Sequence, residues 1–195
     1  MDAVERRAEK RVHPPGDALL DFALWPADPL PPARLPLSAL GPPAACRQCG
    51  QHLELADVAA IGIGLRLSGA PDILVPLAEA PALFVYLKLR DYRSHPSTDT
   101  LSFFFLAENV RAETIRGGLR FGLRLLRLGR GSTFEKALEF LDVSRFGARE
   151  LTVWIDAVAR EGQRQATGMG HGLDLDELLF EPELAASGDA HKDGE

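Results

Sequence analysis

Residues 52–67 read HLELADVAAIGIGLRL. Leu53 and Leu55 alternate with polar neighbours, and Ile61, Ile63, Leu65 and Leu67 alternate with glycines and Arg66. Period-two alternation places one set of side chains on one buried face, so both flanks read as β-strands. Asp57 stands between them, and Gly62 follows five residues later. The pair predicts a short polar-to-glycine turn that divides what could have been one long strand.

Further strands are predicted outward from this hairpin. DALLDFALW, residues 17–25, is apolar enough for a first strand. ALFVYLKL (82–89), TLSFFFLAENVRAE (100–113) and GGLRFGLRLLRL (117–128) supply three more; the last alternates Leu119, Phe121, Leu123 and Leu125 with Arg120 and Arg124. The connections SGAPD, RDYRSHPSTD and IRGG are turn-like. Several strands at this spacing predict a barrel or sandwich. Residues 26–43 hold seven prolines. Proline lacks an amide donor and fixes φ, so this segment reads as an extended surface loop.

The period then changes. GSTFEKALEFLDV starts on Ser132 with Glu135 three residues later, a capping box, and Phe134, Leu138 and Leu141 follow at helical spacing. RELTVWIDAVAREGQR resumes that spacing after Gly147. One broken helix or two short ones are expected to cover an open end or side of the sheet. The segment 164–195 reads as an acidic flexible tail, in which DLDELLFEPEL could form a short helix that docks in a partner's groove.

The chain has 195 residues, 46% hydrophobic and 26% charged, the balance of a globular domain with a core. No apolar run approaches the ~20 residues that span a bilayer, and MDAVERRAEKR lacks the apolar core of a secretory leader. A cytoplasmic protein without a membrane span is expected. The net charge is −6, but residues 167–195 carry eight acids against one lysine, which leaves the body at +1. DNA or RNA as a general partner would call for a strong basic balance. Any anion must therefore be met by a local arginine cluster.

Catalytic signatures are missing from the sequence. There is no G-x-S-x-G and no phosphate loop ending in Gly-Lys-Ser/Thr, and the five histidines are scattered. A non-enzymatic protein is expected. Cys46 and Cys49 are the only cysteines, too few for a disulfide framework. With His52 they offer three ligands where a structural zinc site takes four. They read as two thiols in a loop, with a metal or redox module on Cys46, Cys49 and His52 as the minor reading.

What remains is ERRAEKRVHPP and the Asp57-to-Gly62 corner. The arginine fork suits phosphates and a guanine edge, aspartate accepts from guanine nitrogens, and glycine lets a ligand approach the backbone. R-x-x-x-R at Arg7 and Arg11, beside Arg6, followed by DVAAIG at the place of D-x-S-x-x-G between two strands, resembles a PilZ domain. RGGLRFGLRLLR resembles that family's late strand, and FEKALEFL the helix after its barrel. The resemblance covers roughly residues 6–163. It implies a mainly β fold: a six-stranded antiparallel barrel closed by a C-terminal helix or helix pair. It divides the chain into an arginine-bearing segment (1–16), barrel and helix (17–163, with 26–43 as an insertion) and tail (164–195).

The family includes receptors for cyclic di-GMP. By position, the resemblance implies that Arg6, Arg7 and Arg11 clamp the dinucleotide, Asp57 reads a guanine edge and Gly62 keeps the corner tight. Ala59 stands where the family has serine. The implied function is a cyclic di-GMP effector that changes a surface for a protein partner. The alternative is a degenerate interaction module without the nucleotide, in a motility or surface-assembly system. DVSRFG, residues 142–147, repeats the motif downstream of Arg120 and Arg124. Because it follows a helical run, it reads as a helix break.

Overall fold

The structure, a computed structural model, describes residues 10–30, 33–93, 99–131 and 136–169, with side chains as far as Arg164. Its centre is a curled antiparallel half-barrel sheet of nine strands, where six were expected. They are β1 (Leu19–Ala27), β2 (Arg34–Pro36), β3 (Ala45–Cys46), β4 (His52–Ala59), β5 (Gly62–Ser68), β6 (Ala82–Arg90), β7 (Thr100–Ile115), β8 (Gly118–Arg130) and β9 (Ala137–Asp142). Two helices accompany them, α1 (Pro71–Glu79) and α2 (Arg149–Met169).

The long strand β8 organises the sheet. One of its edges pairs with β7. The other pairs first with β5, over residues 118–124, and then with β9, over residues 127–130. Strands β6, β1 and β3 continue beyond β7, β4 lies outside β5, and β2 lies outside β9. The predicted alternation holds on the inner face. Leu65, Leu67, Val85, Leu87, Phe105, Phe121 and Leu125 are all buried, and Phe103 stacks with Phe105 at 5.5 Å while Phe104 points to the opposite face. In α2, Leu151, Trp154, Ile155 and Val158 lie in the same core, the face that its period predicted.

Three expectations are corrected. The capping-box helix is not formed where the chain is described: residues 137–142 are strand β9, while Ser132, Phe134 and Glu135 lie outside the described residues. Strand β5 ends its ladder on β8 at Arg124, which leaves β8 donors and acceptors beyond it open, and β9 satisfies them. Phe140 then stacks on Phe84 at 5.8 Å on the outer face. Sheet pairing overrides the local helical pattern, and Leu141 is left exposed.

The second correction concerns residues 69–80. SGAPD is not a plain turn but leads into α1, with Pro71 in its first turn and Leu74 and Leu77 buried. The Asn109 amide donates to the carbonyls of Ala78 and Ala80 at 3.1 Å each and so satisfies the C-terminal end of this helix. The third concerns the proline-rich loop. Pro26 and Ala27 belong to β1, and Arg34–Pro36 forms edge strand β2, where a proline costs no ladder bond. Helix α2 runs on to Met169.

Candidate functional site

Asp57 does not sit in a turn. Strand β4 continues through it to Ala59, and the turn is Ala60 and Ile61 alone. The register with β5 slips between Leu55 and Asp57, so Ala56 is an extra residue in β4. Without the slip, Asp57 would share the buried face of Leu53 and Leu55. The bulge shifts the phase by one, placing Val58 in the core and Asp57 on the outer face. Strand β7 repeats the device. Its register on β8 slips between Asn109 and Arg111, which leaves Val110 exposed and puts Arg111 on the outer face.

The two bulges align Asp57 (β4), Gly64 (β5), Gly122 (β8) and Arg111 (β7) in one row across four strands. The next row toward the hairpin tip is Ala59, Gly62, Arg124 and Glu108. On the other side stand Glu54, Arg66, Arg120 and Glu113. Gly62, Gly64 and Gly122 therefore form a contiguous floor without side chains, bordered by arginines. A groove of about 740 Å³ lies over it, within the ~300–1,000 Å³ usual for small-ligand sites. Among the described residues, Arg11, Arg111, Arg120, Arg124 and Arg145 line it, with Asp57 as the one acid.

Backbone pairing delivers Arg11. Val12 and Val58 exchange both hydrogen bonds, at 3.0 and 2.9 Å, which lays residues 11–13 along β4. His13 Nδ1–H donates to the Ala56 carbonyl at 2.8 Å, on the bulge itself. Lys10 reaches Asp156 of α2 at 2.7 Å. Arg11 Nη1 then donates to Asp57 Oδ1 at 2.8 Å, joining residues 46 apart in sequence. The Arg11 side chain is 62% exposed, so this pair contributes only about 0–1 kcal/mol and is readily exchanged for a better anion.

Gly64 is tied to this pair. A Cβ there would lie 2.3 Å from Asp57 Oδ2, so the carboxylate occupies the space that glycine leaves. Gly64→Ala is expected to swing Asp57 aside at small cost, because the clash is with a side-chain end. A double-mutant cycle on Arg11 and Asp57, read by urea denaturation, should give about 0.2–1 kcal/mol of coupling in the parent and none in the Gly64→Ala background.

Of the expected site residues, Arg11, Asp57 and Gly62 meet in the groove. Ala59 is fully buried and does not line it. Arg6 and Arg7 lie outside the described residues. Arg111, Arg120, Arg124, Arg145 and Phe146 were not among the expected site residues. The outward alternation of Arg120 and Arg124 was the available signal; Arg111 had none, because its bulge breaks the alternation.

The sequence pattern predicts a helix break at residues 142–147, but this loop follows strand β9 and walls the groove with Ser144, Arg145 and Phe146. Asp142 Oδ1 accepts from the Ser144 amide at 2.9 Å and the Ser144 hydroxyl at 2.7 Å. These bonds hold the Asp142 carboxyl below its ordinary range, with help from Arg127 and Arg145.

The thiol reading is corrected as well. Cys46 and Cys49 are joined as a disulfide across a 3-10 turn, and Gln51 braces that turn by accepting from the Cys46 amide and donating to the Cys49 carbonyl. His52 is exposed on β4. Among the described residues, no three His, Cys, Asp or Glu side chains group as metal ligands, and no helix is long and apolar enough to cross a membrane. No protein-family model, curated protein or solved structure matches the chain.

Proposed function

We propose that the chain is a PilZ-type domain and that the groove binds cyclic di-GMP, making the protein a non-enzymatic cytoplasmic effector. The observation that carries this reading is the Arg11/Asp57 contact over the glycine floor, which joins the last arginine of the first motif to the aspartate of the second. In this reading β1, β6, β7, β8, β5 and β4 are the six barrel strands, α2 is the closing helix, and β2, β3 and β9 are additions.

The chemistry of the groove suits such a ligand. Guanidinium groups donate in pairs to phosphate oxygens, and a floor without side chains admits a flat base. Arg11, with Arg6 and Arg7 before it in the chain, clamps the phosphates, and Asp57 accepts from a guanine edge. The ligand takes over Arg11 from Asp57. That rearrangement presents or hides a surface for a protein partner.

Isothermal titration of the full chain tests the reading, with cyclic di-GMP as ligand and GTP as control. Saturable micromolar or tighter binding, absent for GTP, is expected. Arg11→Ala should weaken it about tenfold or more, the scale of losing a hydrogen bond to a charged group. Undiminished binding by Arg11→Ala would remove the site assignment. A second reading, the interaction module without nucleotide, is favoured by Ala59, which is buried and carries no hydroxyl. A flat titration of the unmodified chain would select it and direct the search to a protein partner in motility or surface assembly.

A further inference from the structure

Residues 142–147 form a built wall of the groove. The Asp142 carboxylate fixes the turn at Ser144. Gly147 closes the loop at φ +71°, so near the Ala60 carbonyl that no side chain fits, which pins the loop to the tip of the β4/β5 hairpin. Between these anchors the loop turns Phe146 out at 90% exposure, on the rim of an arginine-lined groove. An aromatic ring held in water by a braced loop gains nothing from folding, because burial is what stabilises such a side chain. Its placement points to a ligand that would cover it.

Not all of the arginines that line the groove are paired. Arg111 pairs with Glu113, Arg124 with Glu108 and Arg11 with Asp57. Arg120 and Arg145 have no ion-pair partner among the described residues. Arg120 stands between Arg66 of β5 and Glu113 of β7 in its row, so one cross-strand neighbour repels it and the other attracts it.

We propose that Phe146 is a stacking shelf for a purine ring, and that Arg120 and Arg145 hold the phosphate joined to it. The groove then has two unlike ends: a hydrogen-bonding end at Arg11 and Asp57, and a stacking end at Phe146. The ligand class is a purine nucleotide with a phosphate within reach of its base. The inference rests on the dinucleotide reading above and adds to it the residues that grip the second base.

The test is titration of the full chain and its Phe146 variants with cyclic di-GMP. Phe146→Ala should lower affinity about tenfold or more, the scale of one lost base–aromatic stack, with an unchanged melting temperature because the ring is exposed. Phe146→Leu should lose as much. Phe146→Trp should retain binding, and nucleotide should quench a new exposed-tryptophan emission. Arg120→Ala should weaken binding and flatten its salt dependence. Phe146→Ala or Phe146→Leu binding like the parent would overturn the shelf while leaving the Arg11 and Asp57 site standing. No binding by the parent chain would overturn both.

Discussion

Trp154→Ala is expected to destabilise the protein by about 3–5 kcal/mol, a large part of the ~5–15 kcal/mol that holds a domain of this size together. Trp154 has no exposed surface and sits among the buried residues where α2 meets the sheet. Its indole Nε1–H donates to the Arg90 carbonyl at 2.8 Å, at the end of β6. Tyr92 lies 6.4 Å from it, centre to centre. Burial, with Asp17 alongside, pushes the Tyr92 hydroxyl up to about 12, so it stays protonated and donates to Asp17. Truncation opens a cavity and also strands the Arg90 carbonyl. Trp154→Phe separates these effects: it keeps most of the volume and should cost about 1–3 kcal/mol, chiefly for the unsatisfied acceptor. Urea denaturation followed by circular dichroism reads both values. A loss under about 1 kcal/mol for Trp154→Ala would mean that α2 does not hold the core.

Gly147→Val is expected to cost about 2–5 kcal/mol, from two sources that add. The backbone is at φ +71°, where a side chain costs about 1–2 kcal/mol, and more for a branched one. The new Cβ would also lie 2.4 Å from the Ala60 carbonyl oxygen and 2.9 Å from Ala60 Cβ, so loop and hairpin tip must separate. Gly117 is the control. Its φ is +81°, but nothing stands within 4 Å of a Cβ there, so Gly117→Val should show only the conformational cost. The difference between the two variants in urea isolates the close approach, and equal losses would show that the loop is not pinned to the hairpin. Because the same loop carries Phe146, Gly147→Val should also weaken nucleotide binding more than Gly117→Val does.

Much of the sheet was legible because its inner face is regular. GIGLRL and LRFGLRL alternate without interruption, and β5 and β8 pair residue for residue over residues 62–68 and 118–124. α2 was legible because Leu151, Trp154, Ile155 and Val158 keep one helical face apolar. The site was legible in part. Asp57 and Gly62 stood in a motif and Arg11 upstream of it, and all three line the groove. The opposite wall was hidden for two reasons. The helical spacing of Leu138 and Leu141 disguised β9, so the loop after it was taken for a helix break. The bulge at Val110 put Arg111 out of phase with the rest of its strand.

By itself the sequence determined which residues of β5, β8 and α2 turn inward and that residues 52–67 form a glycine-bearing hairpin. Those properties follow from side-chain period and turn chemistry, which act over a few residues. Only the tertiary structure decided which outward residues meet. Strand pairing with β8, rather than local propensity, set the state of residues 137–142, because β8 had an open edge to satisfy. Two single-residue bulges, in strands far apart in sequence, brought Asp57 and Arg111 to the same face and the same row. A register slip is fixed by the partner strand, so its consequence appears only when the strands are side by side.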